Sequence, residues 1–161
     1  MIFGVEGFVG LHIAISLVAL ATGFMVMAGF LSGTWLRGTH HLFLATTVAT
    51  SVTGFFLPAS KLLPSHITGI VSLLVLAVAV YAFYRAKLAG RWRRIYVVAA
   101  TAALYLNVFV LVVQTFVKNP TLLALAPTQS EPPFAITQLA VLLAFVALGY
   151  VAFSRARHAN P

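Results

Sequence analysis

The chain has no cysteine and no aspartate, and its only carboxylate side chains are Glu6 and Glu131. Without cysteine there are no disulfides, thiolate metal sites, iron–sulfur clusters or cysteine nucleophiles. Without aspartate there is no Asp-oriented Ser–His triad. A Gly-rich phosphate loop, HExxH and GxSxG are also missing, so no motif specifies a reaction and the reading leans away from an enzyme. Charged residues make up 7% of the 161, whereas an ordinary globular chain has about 25%. A soluble domain's charged shell cannot be built from this composition.

Apolar length is present instead: 61% of residues are hydrophobic and the mean hydropathy is +1.04. A helix crosses the roughly 30 Å hydrocarbon layer with about 20 apolar residues. Five runs approach or exceed that length: residues 8–31, 40–57, 66–84, 95–117 and 134–153. Pro58 ends the second, Pro64 and Ser65 open the third, Asn119 and Pro120 end the fourth, and Pro132 and Pro133 suit the first turn of the fifth. The expected fold is all-α, a polytopic membrane bundle of five transmembrane helices in a single domain spanning 1–161. The N-terminus lacks a basic n-region, so a cleavable signal peptide is not expected.

Five crossings place alternate loops on opposite sides. Arg37, Arg85, Lys87, Arg91, Arg93, Arg94, Arg155 and Arg157 fall on one side; Lys61, Lys118 and both glutamates fall on the other. Lys and Arg mark cytoplasmic loops, so the N-terminus is expected outside and the C-terminus inside a bacterial inner membrane. The net charge of +8 then serves orientation and anionic headgroups, and no nucleic-acid partner is expected. Trp35, Trp92, Tyr84 and Tyr96 would form an inner interfacial belt. Small residues four apart, Gly29/Gly33, Ala28/Ser32, Ala82/Ala86 and Ala140/Ala144, with the thin side of helix four at Ala99, Ala100, Ala102 and Ala103, suit close helix packing. The apolar piece at residues 122–126 of the longest loop reads as an outer structural cap.

Polar groups in hydrocarbon are costly, so they mark where chemistry would lie. His12, His66, Gln114 and Gln138 all fall in the outer half, and Asn107 lies two turns before Gln114 on one face. His12 continues into Ser16, Ala19 and Gly23, a stripe that should face the bundle. The sharper hypothesis is a site between helices one, three, four and five, with His12 and His66 as axial ligands of a b-type haem, or a quinone held by His and Gln. Gly10 and Gly69 would leave room for a flat macrocycle. The blander alternative bonds both histidines to loop carbonyls or water. At the inner face, His40 and His41 open helix two; neighbours about 100° apart cannot both ligate one ion from regular helix geometry, so one faces the bundle and the other headgroups or a partner. Thr39 is the expected cap. The hydroxyls Thr46, Thr47, Thr50, Ser51 and Thr53 suit either a hydrated track or bonds to carbonyls one turn back and to neighbouring helices.

The segments RGTHHLFLATTVATSVTGFFLP, PSHITGIVSLL and GRWRRIYVVAATAALYLNVFVLVVQ resemble a bacterial family of predicted multi-pass membrane proteins of unknown function. The resemblance covers most of helices two to four and rests on histidines at two helix starts and an aromatic-basic opening of helix four. That opening, Trp92-Arg93-Arg94, carries no histidine. The resemblance implies an architecture and no particular activity. Three functions fit the residues: an accessory or electron-transfer component of a membrane redox system, a cofactor-free structural or assembly subunit of a larger complex (other membrane subunits or a homo-oligomer as partners), and a small-solute transporter or channel.

Overall fold

The computed structural model describes residues 5–57 and 64–156, without the side chains of Val5, Pro64, Ser65 and His66. Pro58, Lys61 and Arg157 lie outside the described residues. The chain forms α1 (Val5–Ser32), α2 (Arg37–Gly54), α3 (Pro64–Val80) continued by a π-helical turn (Tyr81–Arg85), α4 (Arg91–Lys118), the short α5 (Pro120–Leu125) and α6 (Pro132–Ala156). There is no strand among the described residues. Helix is the economical answer for so apolar a chain, because every backbone donor and acceptor is satisfied within its own segment.

Four helices, Glu6–Ser32, Ile67–Arg85, Arg91–Lys118 and Pro132–Ala156, are long and apolar enough to cross a membrane. The helix α2 is not among them, because its hydroxyls and two histidines dilute 18 residues. It begins three residues earlier than the apolar run suggests. Thr39 does not cap it: Leu36 occupies the N-cap position without a side-chain bond, and the Thr39 amide donates to the Leu36 carbonyl at 2.9 Å. Likewise α4 opens at Arg91 and α6 at Pro132, since charged or proline residues at a helix start need no apolar side chain to stay helical.

The chain turns sharply after α1, where Gly33 takes φ +82°, a conformation that side chains resist. Thereafter α2 runs back along α1, from His40 beside Phe30 to Thr53 beside His12. The fourth helix occupies the middle and packs on α1, α3 and α6. Of the four alanines on its thin side, Ala99, Ala100 and Ala103 are buried and Ala102 is half-buried. The tightest approach is at Gly23, where an added Cβ would lie 2.5 Å from Leu104 Cδ1 and 2.8 Å from Phe43 Cε2. Gly23→Ala should therefore lose about 1–3 kcal/mol by overpacking a filled core, measured as a lowered midpoint of unfolding in detergent micelles.

Not every small-residue pair packs. Ala28, Ser32, Ala140 and Ala144 are exposed, so those two spacings face away from the bundle. Tyr96, expected in the interfacial belt, is fully buried, because α1, α2 and the π turn close over it.

After α4, Asn119 caps α5 by accepting from the amides of Thr121 and Leu122 at 3.0 and 3.2 Å. Ala126 is fully buried while Leu123 and Leu125 remain exposed. The Glu131 carboxylate accepts from the Thr128 hydroxyl and from the amides of Thr128 and Ser130. These bonds, the hydroxyl's first, hold its pKa below the ordinary carboxylate value. A depressed carboxylate pKa stabilises above the unfolded value and loses that contribution as pH falls through the folded one. The protection factors of the Thr128 and Ser130 amides should accordingly fall on acidification through the Glu131 titration, and should be low at all pH in Glu131→Gln.

Candidate functional site

The N-terminal halves of α1 and α3 and the C-terminal halves of α2 and α4 border a cavity of about 500 Å³. His12, Asn107 and Gln114 line it, together with Ser16, Thr50, Ser51, Thr68, Ser72, Thr115 and Lys118 among largely apolar walls. Three of the five outer polar residues singled out from the sequence therefore meet around one space. His66 lies in α3, but its side chain is outside the described residues. Gln138 does not line the cavity: it is buried on α6, where Nε2 donates to the Phe109 carbonyl at 3.2 Å, leaving Oε1 without a partner. The fourth wall is α2 rather than the last helix. Gly69 leaves less room than expected, because the Phe55 ring sits 3.0 Å from where its Cβ would be; Gly10 has open space.

The orientation of His12 follows from a hydroxyl on α2. The Thr53 hydroxyl donates to the Ala49 carbonyl one turn back at 2.7 Å, and a hydroxyl has a single hydrogen. The 2.8 Å contact between His12 Nδ1 and Thr53 Oγ1 then requires Nδ1–H to donate. That selects the tautomer and leaves the Nε2 lone pair as acceptor or ligand. Ser16 donates to the His12 carbonyl at 2.7 Å and contacts Thr50 Oγ1 at 3.4 Å, tying α1 to α2 one turn deeper. Ser51 and Ser72 bond at 3.0 Å between α2 and α3, and Asn107 Nδ2 reaches Thr47 Oγ1 at 3.4 Å. The hydroxyls of α2 thus divide: Thr46 bonds back to the Leu42 carbonyl, whereas Thr47, Thr50, Ser51 and Thr53 meet neighbouring helices. Sequence reasoning named Thr53 only as one of the α2 hydroxyls able to bond a neighbouring helix, without pairing it with His12.

A second constellation closes the opposite end. His40 is buried, stacked on Trp35 (centroids 4.9 Å, 12°) and on Phe83 (5.8 Å, 22°), with Nδ1 bonded to Tyr96 Oη at 2.9 Å. Phe30 approaches its ring at 5.6 Å. His41 is exposed and pairs with Tyr84 Oη at 2.7 Å. The π turn is wider than an α turn, and it brings successive residues Phe83 and Tyr84 to the two successive histidines. This end is packed: Phe43, Leu44 and Leu104 lie fully buried between it and the cavity around His12. Among the described residues no cluster of three or more His, Cys, Asp or Glu is placed to hold a metal ion. Searches for similar proteins found no family model, curated protein or solved structure that matches this chain, so no family is identified and none is excluded.

Proposed function

We propose that the chain crosses a bacterial inner membrane five times, N-terminus outside, and that its outer cavity holds the head of a lipophilic quinone or quinol for a membrane redox system, as an accessory or electron-transfer component. The observation that carries this reading is that the Thr53-oriented His12 lines one cavity with the amides of Asn107 and Gln114, several hydroxyls and Lys118 among largely apolar walls. Ligand sites of this kind combine apolar walls with a few convergent polar groups. A quinol hydroxyl would donate to His12 Nε2, while a side-chain amide, both donor and acceptor, suits either oxidation state of the other oxygen. Bis-imidazole haem would need His66 as the second ligand opposite His12; the quinone needs only residues that line the cavity.

A fifth crossing is supported by the packing of α2. It follows α1 from Phe30 to His12, 18 residues apart and so about 27 Å, close to the roughly 30 Å hydrocarbon thickness. Its polar side chains are largely spent on neighbouring helices, which lets a helix of modest hydropathy sit inside a bundle.

The test is to purify the protein in mild detergent, extract it with organic solvent and assay quinone by chromatography, with an absorption spectrum of the same sample. Stoichiometric quinone without a Soret band is expected. A Soret band would replace the quinone by haem, and neither would remove the redox reading.

A second reading, a cofactor-free assembly subunit, is favoured by α6. Its outward face presents Ile136, Leu139, Leu143, Val146 and Tyr150, all more than half exposed, at alternating three- and four-residue steps, the spacing of a helix–helix seam. Copurification of partner chains that survives loss of the quinone would favour it. The transport reading is weakened by the buried Phe43, Leu44 and Leu104, which interrupt any path from the cavity to the arginine-rich end.

A further inference from the structure

Two arginines at the basic end lack any side-chain carboxylate within reach. Arg91 and Arg94 open α4, whereas Glu6 starts α1 and Glu131 precedes α6, both at the other end of the bundle. Arg93, between them, is directed elsewhere, its guanidinium 4.7 Å from the Trp35 ring centroid. The Arg94 guanidinium lies 5.7 Å over the Phe153 ring. Between α3, α4 and α6 these two arginines stand at a groove of about 490 Å³. Its remaining walls are hydrocarbon, from Val75, Val78, Val98, Ala102 and Phe153 among others. Val78 and Val98 are 44% and 51% exposed, so the groove opens sideways, toward whatever surrounds the bundle.

We propose that this groove is a binding site for one anionic phospholipid, its phosphate on Arg91 and Arg94 and one acyl chain along α4 past Ala102. The charge and the apolar wall select the occupant together. A soluble anion would satisfy the arginines but leave the groove empty, and a zwitterionic lipid would fill the groove while offering weaker net charge to two guanidiniums. Arginine suits phosphate because its planar fork donates two parallel hydrogen bonds. Basic pockets between transmembrane helices are known anionic-headgroup sites. The small side chains of Ala99 and Ala102, which both line the groove, leave the space that the chain would occupy.

The test is native mass spectrometry of the full chain released from nanodiscs that contain phosphatidylglycerol and phosphatidylcholine in equal mole fraction. One retained phosphatidylglycerol is expected, favoured over phosphatidylcholine by about thirtyfold, the equivalent of about 1 kcal/mol for each of the two basic residues. The double variant Arg91→Gln/Arg94→Gln should bring that ratio close to one. The pair Arg85→Gln/Lys87→Gln removes the same charge from the same end but outside the groove, and should leave the ratio unchanged. Ala102→Leu should reduce the adduct with both arginines intact, which keeps the proposal testable should the double variant fail to fold. Equal loss in the two double variants would show a general attraction to the membrane surface and overturn the site. Equal binding of glycerophosphoglycerol, which has no acyl chains, would assign the arginines to a soluble anion and also overturn it.

Discussion

Replacing His12 by alanine is expected to lower quinone retention by about tenfold to a hundredfold, the loss of one buried hydrogen bond of about 1.4–3 kcal/mol. The size of the effect depends on Thr53, since the imidazole is useful only while its Nδ1–H is committed to that hydroxyl. Thr53→Val removes the acceptor and should reduce retention by a smaller factor, while Thr53→Ser, which keeps the oxygen, should restore it. A purely structural role for His12 would lower stability without this split between valine and serine. Gln114→Leu removes the amide across the cavity and should weaken binding, whereas Thr46→Ala, on a hydroxyl spent on the Leu42 carbonyl and outside the cavity, should not. The readout in each case is quinone per protein after purification, with the unfolding midpoint recorded alongside.

The largest loss of stability is expected at the other histidine. His40→Ala would empty a space walled by Trp35, Phe83, Phe30 and Tyr96 and leave the Tyr96 hydroxyl without its partner. By analogy with large-to-small core substitutions and orphaned buried donors this costs about 3–5 kcal/mol. Tyr96→Phe keeps the ring packing and removes only the hydroxyl, so about 1–3 kcal/mol is expected. His41→Ala, on an exposed ring bonded to Tyr84, should cost less than either. Reversible unfolding in mixed micelles ranks the three. A His40→Ala variant as stable as the parent would mean that the aromatic box does not hold the basic end of the bundle together.

Neighbouring histidines of one type thus receive opposite environments, and the reason is helical geometry rather than chemistry. Adjacent positions diverge by about 100°, so a bundle that takes in one ring must expose the other. That division was readable from His40-His41 in the sequence. Which ring goes inward was not, because it depends on where α1 and the π turn arrive.

The same limit explains the site around His12. Depth along a helix can be counted from its ends, which puts His12 and Gln114 at similar depth; both line the cavity, as does Asn107 two turns from Gln114. Gln138 shares that level but turns toward the α4 backbone, since the direction around a helix axis is set by its neighbours. Thr53 belongs to α2, a helix whose hydroxyls had an equally good explanation as local bonds to carbonyls. Thr46 takes that local option and Thr53 takes both, donating back along the helix and accepting across to His12.

By itself the amino-acid order determined that this chain is helical and apolar, with its basic residues concentrated at particular helix ends, because period, length and charge are properties of each segment alone. Only the tertiary structure decided which polar side chains share a space, that α2 rather than α6 walls the cavity around His12, and that Tyr96 is interior. Those outcomes depend on how helices rotate and cross, and rotation is settled by packing between segments distant in the chain.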